Sequence, residues 1–244
     1  MRGFAELAAI SNFSFLHGAS HPQEMVETAA AFGYRAIGLA DRNTLAGVVR
    51  GHAAAKQAGL RYLPGARLVT QCGFEVIAYP RSRAAYGALS QCLTQANRRG
   101  RKGECLLSMD DVLGLARHAA LCWLAVPPLR AEPVFGEKLA QLAAATRQVY
   151  ALLVPLYGAD DKTRLRDIAA MADWAGAALL ASFDPLYHAP SSKTFLNDVG
   201  ASVNNTLSCG LLGPEIVGAT VDISSGIVSV KAISLLAHKP CSFA

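Results

Sequence analysis

The sequence predicts an α/β protein built as a seven-stranded (β/α) barrel, and two observations lead to this prediction. Short apolar runs rich in strand-forming residues alternate with longer segments of helical periodicity. The connections between them are short, and closing such a sheet leaves no edge strand exposed. An open doubly wound sheet is the alternative, but no GxGxxG or GxxxxGK[ST] motif follows any predicted strand.

Seven segments have the length and composition of strands, and helices are predicted between them. A capping-box pattern of Ser20 and Gln23 precedes a helix that ends at Gly33, and Ser108 with Asp111 opens a short helix. The predicted strands are 5–10, 36–40, 61–69, 74–79, 119–126, 148–154 and 177–182, and the other predicted helices are 44–58, 82–93, 135–146 and 160–175. In such a barrel, functional side chains are expected where the strands end.

Composition limits the classes of protein that this chain can belong to. No apolar run is long enough to cross a bilayer, and no secretory signal opens the chain, so we expect a cytoplasmic protein without a membrane partner. The six cysteines form no CxxC pair, which favours buried free thiols. A net charge of +5 is compatible with a nucleic-acid neighbour but does not require one.

Three long stretches of the sequence carry a family resemblance. They are SNFSFLHGASHPQEMVETAAAFGYRAIGLADRNTLAGVVRGHAAAKQAGLRYLPGARL (11–68), YPRSRAAYGALSQCLTQANRRGRKGEC (79–105) and LLASFDPLYHAPSSKTFLNDV (179–199). Together they resemble the N-terminal PHP (polymerase and histidinol phosphatase) domain of bacterial error-prone DNA polymerases. Those enzymes are C-family relatives of the DNA polymerase III alpha subunit. The resemblance implies a PHP-type barrel, TIM-like and similar to metal-dependent hydrolases, within a longer chain that adds nucleotides to DNA.

The resemblance also implies a metal pocket, and this chain departs from its pattern. Active PHP domains place a His-x-His pair at the positions held here by Ala8 and Ile10. Methyl groups cannot donate a lone pair to a metal. The positions of a further His and a Glu are held by Arg42 and Arg67, whose guanidinium groups stay protonated and repel cations.

The polar residues that remain are too few for a closed ligand shell. Degenerate remnants of the ligand set are Asp41, Asp184 and a displaced His188, and His17, His21 and His52 are weaker candidates. We therefore predict no catalytic residue and no metal in the pocket, and a buried ion-pair cluster that joins Arg67 or Arg42 to Asp184 or Asp41. A catalytic triad of Ser14, His17 and Asp41 is not favoured, because no GxSxG motif is present.

A basic stretch, NRRGRKGE, is the candidate DNA contact. Arg98, Arg99, Arg101 and Lys102 lie within five residues around Gly100, and such a loop can lie against phosphates. A solvated loop without a ligand is the alternative. No interleaved aromatic residues indicate base recognition.

Residues 1–198 are predicted to form the PHP domain, and residues 199–244 a divergent, irregular tail. Charged residues make up four of the last 46 positions against 37 of the first 198, which favours a frameshift or truncation and a poorly ordered tail.

The functional expectation is a non-catalytic PHP fragment of an error-prone DNA polymerase, lacking the polymerase palm. The resemblance implies DNA replication, DNA repair after damage and translesion synthesis, with DNA and other replication or translesion proteins as partners of the parent enzyme. Mg²⁺ would serve that parent nucleotidyltransferase, and no cofactor is expected in this chain. The alternatives are a free-standing metal-dependent PHP phosphoesterase and a non-expressed gene remnant.

Overall fold

Strands and helices alternate along most of the chain, and every predicted strand is found. The fold is that of a computed structural model, which describes residues 4–189 and the backbone of 220–222 and 229–231. The strands are β1 (Ala5–Ala9), β2 (Ala36–Arg42), β3 (Arg61–Val69), β4 (Glu75–Pro80), β5 (Leu121–Val126), β6 (Val149–Leu153), β7 (Ala178–Ala181), β8 (Thr220–Asp222) and β9 (Ser229–Lys231). The helices are α1 (Pro22–Ala31), α2 (Val48–Ala58), α3 (Arg83–Arg99), α4 (Met109–His118), α5 (Pro133–Ala145) and α6 (Asp161–Ala175).

The first seven strands form one sheet in sequence order. Neighbouring strands are parallel except that β4 runs antiparallel to both β3 and β5. A short hairpin joins β3 to β4, in which Gly73 adopts a left-handed φ of +79° and its N–H donates to the Thr70 carbonyl at 2.9 Å. A regular (β/α) repeat is therefore interrupted once, because this connection is too short to contain a helix.

The predicted closed barrel is observed as a curled sheet of half-barrel form. Among the described residues, no hydrogen-bonded ladder joins β1 to β7. The segments that follow these two strands are joined by two main-chain bonds, from the Ile10 N–H to the Pro185 carbonyl at 3.2 Å and from the Ala19 N–H to the Leu186 carbonyl at 2.9 Å, and by side chains described below. With only four residues, β7 is too short to supply a full ladder.

The ends of three helices differ from the prediction. α1 is not opened by Ser20 and Gln23: the Glu24 carboxylate accepts the His21 N–H at 2.7 Å, while the Ser20 hydroxyl contacts His188. α2 begins at Val48 rather than at 44, and α3 continues to Arg99 rather than ending at 93.

The capping box that opens α4 is confirmed. The Ser108 hydroxyl accepts the Asp111 N–H at 3.1 Å, and the Asp111 carboxylate accepts the Ser108 N–H at 2.9 Å. Gly59 and Gly176 end α2 and α6 in the left-handed conformation that glycine tolerates.

Apolar side chains pack on both faces of the sheet. The inner cluster includes Leu7, Ile77, Leu124, Leu152 and Leu180, contributed by five different strands. Outside, α1 and α2 cover the β1–β3 side, and α3 to α6 cover the rest. No helix in the described residues is long and apolar enough to cross a membrane.

The prediction of buried free thiols is correct only in part. The four cysteines within residues 4–189 are free, but Cys72 is exposed in the β3–β4 hairpin, and Cys92, Cys105 and Cys122 are half-buried rather than fully buried. Burial raises the pKa of the Cys122 thiol to about 11, as expected for a packed cysteine. Cys209 and Cys241 lie outside the described residues, as does the tail from 199 apart from β8 and β9, which pair antiparallel.

Candidate functional site at the barrel mouth

The polar residues of interest meet at one end of the curled sheet. Parallel strands present their carboxyl ends at the same edge, which here forms the mouth of the barrel. Because β4 is reversed, it contributes its first residue, Glu75, to this mouth. Glu75 was not among the predicted site residues, because the segment 72–78 contains no histidine that would mark it as part of a metal site.

Asp41 at the end of β2 fixes the loop that follows β1. It is 3% exposed, and its Oδ1 accepts the Ser11 N–H and the Ser14 hydroxyl, both at 2.7 Å. Its Oδ2 accepts the Ser11 hydroxyl at 2.8 Å. The carboxylate is therefore occupied by three local donors, which assigns it a structural part in ordering this loop.

No Ser–His–Asp relay is formed at this position. The Ser14 hydroxyl donates directly to Asp41 and accepts the Arg42 N–H at 3.0 Å. His17 contacts Ser14 only through the main chain, its N–H donating to the Ser14 carbonyl at 2.9 Å. In such a relay the histidine accepts the hydrogen bond of the serine hydroxyl, whereas here the Asp41 carboxylate accepts it.

Arg67 lies at the centre of the mouth and is almost fully buried. Its side chain is 5% exposed, and its Nη2 donates to the Ala8 carbonyl at 3.0 Å and to one oxygen of Asp184. Its Nη1 donates to the other Asp184 oxygen at 3.2 Å and lies 3.7 Å from the Glu75 carboxylate. The guanidinium thus connects the end of β1 to the segment after β7, and the predicted pairing of Arg67 with Asp184 is confirmed.

The charge of Arg67 is maintained by its acidic neighbours. Burial lowers the pKa of Arg67, but the nearby Asp184 and Glu75 carboxylates outweigh that effect, so the net pKa is raised. Asp184 itself has a left-handed φ of +49°, which aspartate tolerates better than most residues. A permanently protonated guanidinium therefore occupies the pocket.

Arg42 forms the outer layer of the same cluster. Its Nη1 donates to both oxygens of Glu75 at 2.8 Å, and both side chains are about a quarter exposed, at 23% and 25%. His17 lies near this pair: partial burial and then the charge of Arg42 lower the pKa of its imidazole. The predicted partners of Arg42 were Asp41 or Asp184, and the observed partner is Glu75.

Glu6 bridges the gap between β1 and the segment after β7. It is fully buried, and its Oε1 accepts the Ala8 N–H at 2.7 Å and the Ser182 hydroxyl at 2.6 Å. Its Oε2 accepts the Phe183 N–H at 2.9 Å. Burial raises the pKa of Glu6, and these hydrogen bonds oppose that rise. A glutamate inside the otherwise apolar strand AELAA was a usable sequence indication that the prediction missed.

The three remnants of the ligand set are not brought together. Asp41 accepts hydrogen bonds from serine donors, and Asp184 is paired with Arg67. The Nδ1 atom of His188 lies 2.7 Å from the Ser20 hydroxyl oxygen, and the backbone N–H of His188 donates to the same oxygen. Of the other histidines, His21 contacts Asn12 at 2.9 Å and His52 lies against the Tyr62 ring.

A metal centre of the family's kind does not fit these residues. Within residues 4–189, no group of three or more His, Cys, Asp or Glu side chains is arranged to hold a metal ion. The position between β1, β3 and β7 is filled by the Arg67 guanidinium, which consumes the Asp184 carboxylate and repels cations.

The predicted DNA-binding residues are split between a helix and a turn. Arg98 and Arg99 lie in the last turn of α3, and Arg101 and Lys102 follow in the exposed turn after Gly100. Arg99 is paired with Asp111 at 2.6 and 3.0 Å, and so it is committed to the α4 cap. The predicted flexible loop is in part helix, because the α3 periodicity continues to Arg99.

Known proteins with similar sequences are much longer. The chain is 43% identical over 210 residues to the error-prone DNA polymerase of Brucella abortus biovar 1 (strain 9-941), and 40% identical over 222 residues to that of Bradyrhizobium sp. (strain ORS 278). These alignments cover 83% and 86% of this chain but only 19% of each relative, whose N-terminal region they match. The chain thus spans about a fifth of the length of the curated relatives it matches.

Solved structures confirm the fold and a sequence profile identifies the family. A Bifidobacterium adolescentis protein described as a candidate metal-dependent phosphoesterase aligns with a TM-score of 0.58 at 13% identity, over 75% of this chain and 88% of its own. An amidohydrolase from Chromobacterium violaceum aligns with a TM-score of 0.56 at 18% identity, over 76% and 88%. The profile of the PHP domain matches residues 6–165. The chain therefore belongs to the PHP domain family.

Proposed function

We propose that this chain is the PHP module of an error-prone DNA polymerase and that its role is structural rather than catalytic. The similarity to the N-terminal region of such polymerases supports the first part. On this proposal the parent enzyme acts in the cytoplasm in DNA replication, repair and translesion synthesis. Its polymerase carboxylates, which lie outside this sequence, would bind the Mg²⁺ ions used for nucleotide addition.

The single observation that supports a non-catalytic role is the position of Arg67. A PHP phosphoesterase needs an open, negatively polarised pocket in which a metal ion activates water. Here the centre of the mouth holds a buried guanidinium that is hydrogen-bonded to Asp184 and to the Ala8 carbonyl. Removing this cation from its partners would leave buried charge unpaired, so a metal ion cannot simply displace it.

Contact with DNA is proposed for the exposed end of α3. Arg98, Arg101 and Lys102 are exposed there, and their charges can neutralise phosphates without reading bases. Partners other than DNA would be further replication or translesion proteins that bind the parent enzyme.

Elemental analysis and a nuclease assay on the purified chain test the structural role. We expect no stoichiometric Mn²⁺ or Zn²⁺ and no cleavage of a phosphodiester substrate when Mn²⁺ is supplied. A variant in which Ala8, Ile10 and Arg42 become His and Arg67 becomes Glu restores the ligand types of active members. Metal uptake by that variant would show that the assay can detect a filled pocket.

The alternative function, a free-standing metal-dependent phosphoesterase, makes the opposite prediction. Stoichiometric metal in the wild-type chain, with cleavage that is lost in Asp184→Asn, would overturn the structural role. Asp173→Asn serves as the matched control, because Asp173 lies on α6 and not at the mouth.

A further inference from the structure

Exposed positive charge is concentrated at the end of the sheet opposite the mouth. Parallel strands begin there, and the reversed strand β4 ends there. The turns and helix ends at this end are residues 28–36, 55–61, 80–86, 115–121, 142–149 and 172–178. They carry seven exposed cations, which we call the basal face: Arg35, Lys56, Arg61, Arg81, Arg83, Arg117 and Arg147. Seven positive charges and a single carboxylate, that of Asp173, give these segments a formal charge of +6, against +5 for the whole chain.

The cations of the basal face form a row along the edge of the sheet. One lies at or shortly before the basal end of each strand from β2 to β6, in the order Arg35, Arg61, Arg81, Arg117 and Arg147. Since neighbouring strands are about 4.8 Å apart, the row is about 19 Å long. The positive charge is therefore continuous across five strands.

The main chain fixes this row in place. The Arg35 N–H donates to the Phe4 carbonyl at 2.7 Å, and the Arg81 N–H donates to the Ala120 carbonyl at 3.0 Å. The backbone from which these side chains project is thus ordered before any partner binds. Such preorganisation lowers the entropy cost of binding.

The charges of the basal face have no acidic partner within residues 4–189. None of the seven cations forms an ion pair there, whereas Arg42 and Arg67 at the mouth are both paired with carboxylates. Arg83 lies in the first turn of α3, which contains no acidic residue and where the helix dipole disfavours a positive charge. Like charges held close together destabilise the fold, and a bound anionic partner relieves that repulsion.

An exposed tryptophan lies at one end of the row. Trp174 is 69% exposed in the last turn of α6, and the other large hydrophobic side chains exposed within residues 4–189 lie at the mouth end. Ala178 of β7 pairs with Tyr150 of β6, so the end of α6 lies beside the strand that follows Arg147. Tryptophan and arginine are prominent among the residues that contribute most to protein–protein binding. Contacts to DNA phosphates come from polar and charged groups instead.

The shape of the row also favours a peptide over duplex DNA. The sheet is curled, so the cations follow an arc rather than a straight line. Duplex DNA is straight over this distance, because its persistence length is about 50 nm, and it would contact only part of the arc. An extended peptide can bend along the arc and present acidic side chains to each arginine.

We propose that the basal face is a docking site for a flexible acidic segment of a partner protein. Carboxylates of the segment pair with the arginines of the row, and an apolar side chain of the segment covers Trp174. This surface is separate from the mouth and from the basic end of α3, and the inference does not depend on the proposed function.

Fluorescence anisotropy with a labelled peptide tests the docking. The probe has about ten residues, all Glu or Asp except for a central Leu-Phe pair, and spans about 33 Å when extended. We expect it to bind the 244-residue chain at low salt, and a probe with Gln and Asn in place of the acids to bind about tenfold more weakly or less. The basal variant, Arg35→Gln with Arg81→Gln and Arg147→Gln, should weaken binding of the acidic probe by about tenfold.

A matched variant controls for net charge. Arg50→Gln with Arg130→Gln and Lys162→Gln removes three exposed cations at the mouth end. Its affinity for the acidic probe should change by less than about twofold, because salt screens charges at that distance. All six substituted side chains are exposed, and thermal unfolding checks that both variants fold.

Tryptophan fluorescence shows whether the probe reaches Trp174. The chain contains two tryptophans, and the other, Trp123, is 0% exposed. Binding of unlabelled probe should therefore shift the emission to shorter wavelength and reduce quenching by acrylamide. Trp174→Ser should abolish the shift and weaken binding by about fivefold, whereas Val134→Ser, at a side chain 54% exposed near the mouth, should do neither.

Four results would overturn the docking. They are no binding of the acidic probe at low salt, an equal loss of affinity in the mouth-end control, and an unchanged Trp174 emission at saturating probe. The fourth is a duplex DNA that binds more tightly than the probe and loses as much affinity in the basal variant, which would identify nucleic acid as the occupant. None of these results bears on the proposed function, which the metal and nuclease assays test separately.

Discussion

Two charged regions of this protein differ in how their charges are stabilised. The mouth has Arg67 and Asp184, with side chains 5% and 18% exposed and in direct contact. The end of α3 has several basic residues in a short stretch, and the paired Arg99 is 46% exposed. In the first region each charge depends on a protein partner, whereas in the second water solvates most of the charge.

The difference shows that burial, not the number of charges, decides what a charged residue does for the fold. A buried ion pair costs several kcal/mol when one partner is lost, since the other charge is left in a poorly solvated place. An exposed pair is worth between zero and about 1 kcal/mol. Exposed charges act mainly through long-range attraction, which salt weakens.

Arg67→Met gives the largest expected effect. The substitution keeps an unbranched apolar stem but leaves Asp184 and the Ala8 carbonyl without their donors. We expect the free energy of unfolding to fall by about 3–5 kcal/mol. Urea denaturation followed by circular dichroism measures this change.

A double-mutant cycle tests whether that loss comes from the ion pair. Asp184→Asn suits the left-handed backbone at this position and removes the charge left behind by Arg67→Met. The double variant should therefore be more stable than the sum of the two single changes predicts. Strict additivity would show that Arg67 stabilises the fold by packing rather than by charge.

Glu6→Gln gives the next largest effect. In either orientation the new amide NH₂ faces a backbone N–H, that of Ala8 or that of Phe183. We expect a loss of about 1–3 kcal/mol, because two donors cannot bond to each other. Ser182→Ala is the comparison, since it removes one of the three donors to Glu6 together with the acceptor of the Asp184 N–H, and it should cost about 1 kcal/mol for each of these hydrogen bonds.

The raised pKa of Glu6 adds a pH dependence of known sign. Between its ordinary value of 4.5 and the raised pKa, the folded protein holds a proton that the unfolded chain has released. The contribution of this group to stability is therefore complete below pH 4.5 and is lost as the pH rises through the raised pKa. The stability difference between wild type and Glu6→Gln should narrow over that interval, and an unchanged difference would contradict the assignment.

Arg42→Gln has a smaller effect, because the Arg42–Glu75 pair is partly exposed. We expect at most about 1 kcal/mol of destabilisation. The pKa of His17 should rise, because the charge of Arg42 lowers it and Glu75 raises it. An NMR titration of the His17 ring measures that rise. Arg50→Gln should leave it unchanged, since Arg50 lies over the Phe13 ring instead.

Much of the fold was predictable because the sequence pattern of each strand is local. All seven strands of the main sheet follow from short apolar runs between turn residues, and the α4 cap follows from Ser108 and Asp111. The α1 cap was not predictable, because the Ser20 hydroxyl is used by His188, which is distant in sequence. Within residues 4–189, the lack of a ladder between β1 and β7 likewise depends on how two strands that are distant in sequence meet.

The site was predictable in its chemistry but not in its pairing. That Arg67 cannot bind a metal follows from the side chain alone, and so does the possibility of an ion pair with Asp184. The roles of Glu6 and Glu75 depend on which strands are neighbours and on the reversal of β4. An acidic residue shows in a sequence, but its burial and its donors show only in the fold.

The smallest effect on stability is expected at the end of α3, where the triple change of Arg98, Arg101 and Lys102 to Gln should alter the free energy of unfolding by no more than about 0.5 kcal/mol. All three side chains are exposed. Binding to duplex DNA should weaken, and the slope of log K against log salt should fall by about 0.9 for each phosphate contact removed. Fluorescence anisotropy between 50 and about 200 mM salt measures both quantities.

Changing Lys56, Arg61 and Arg83 to Gln removes the same charge elsewhere on the surface, so an equal loss of binding in that control would mean that net charge, and not this stretch, attracts DNA.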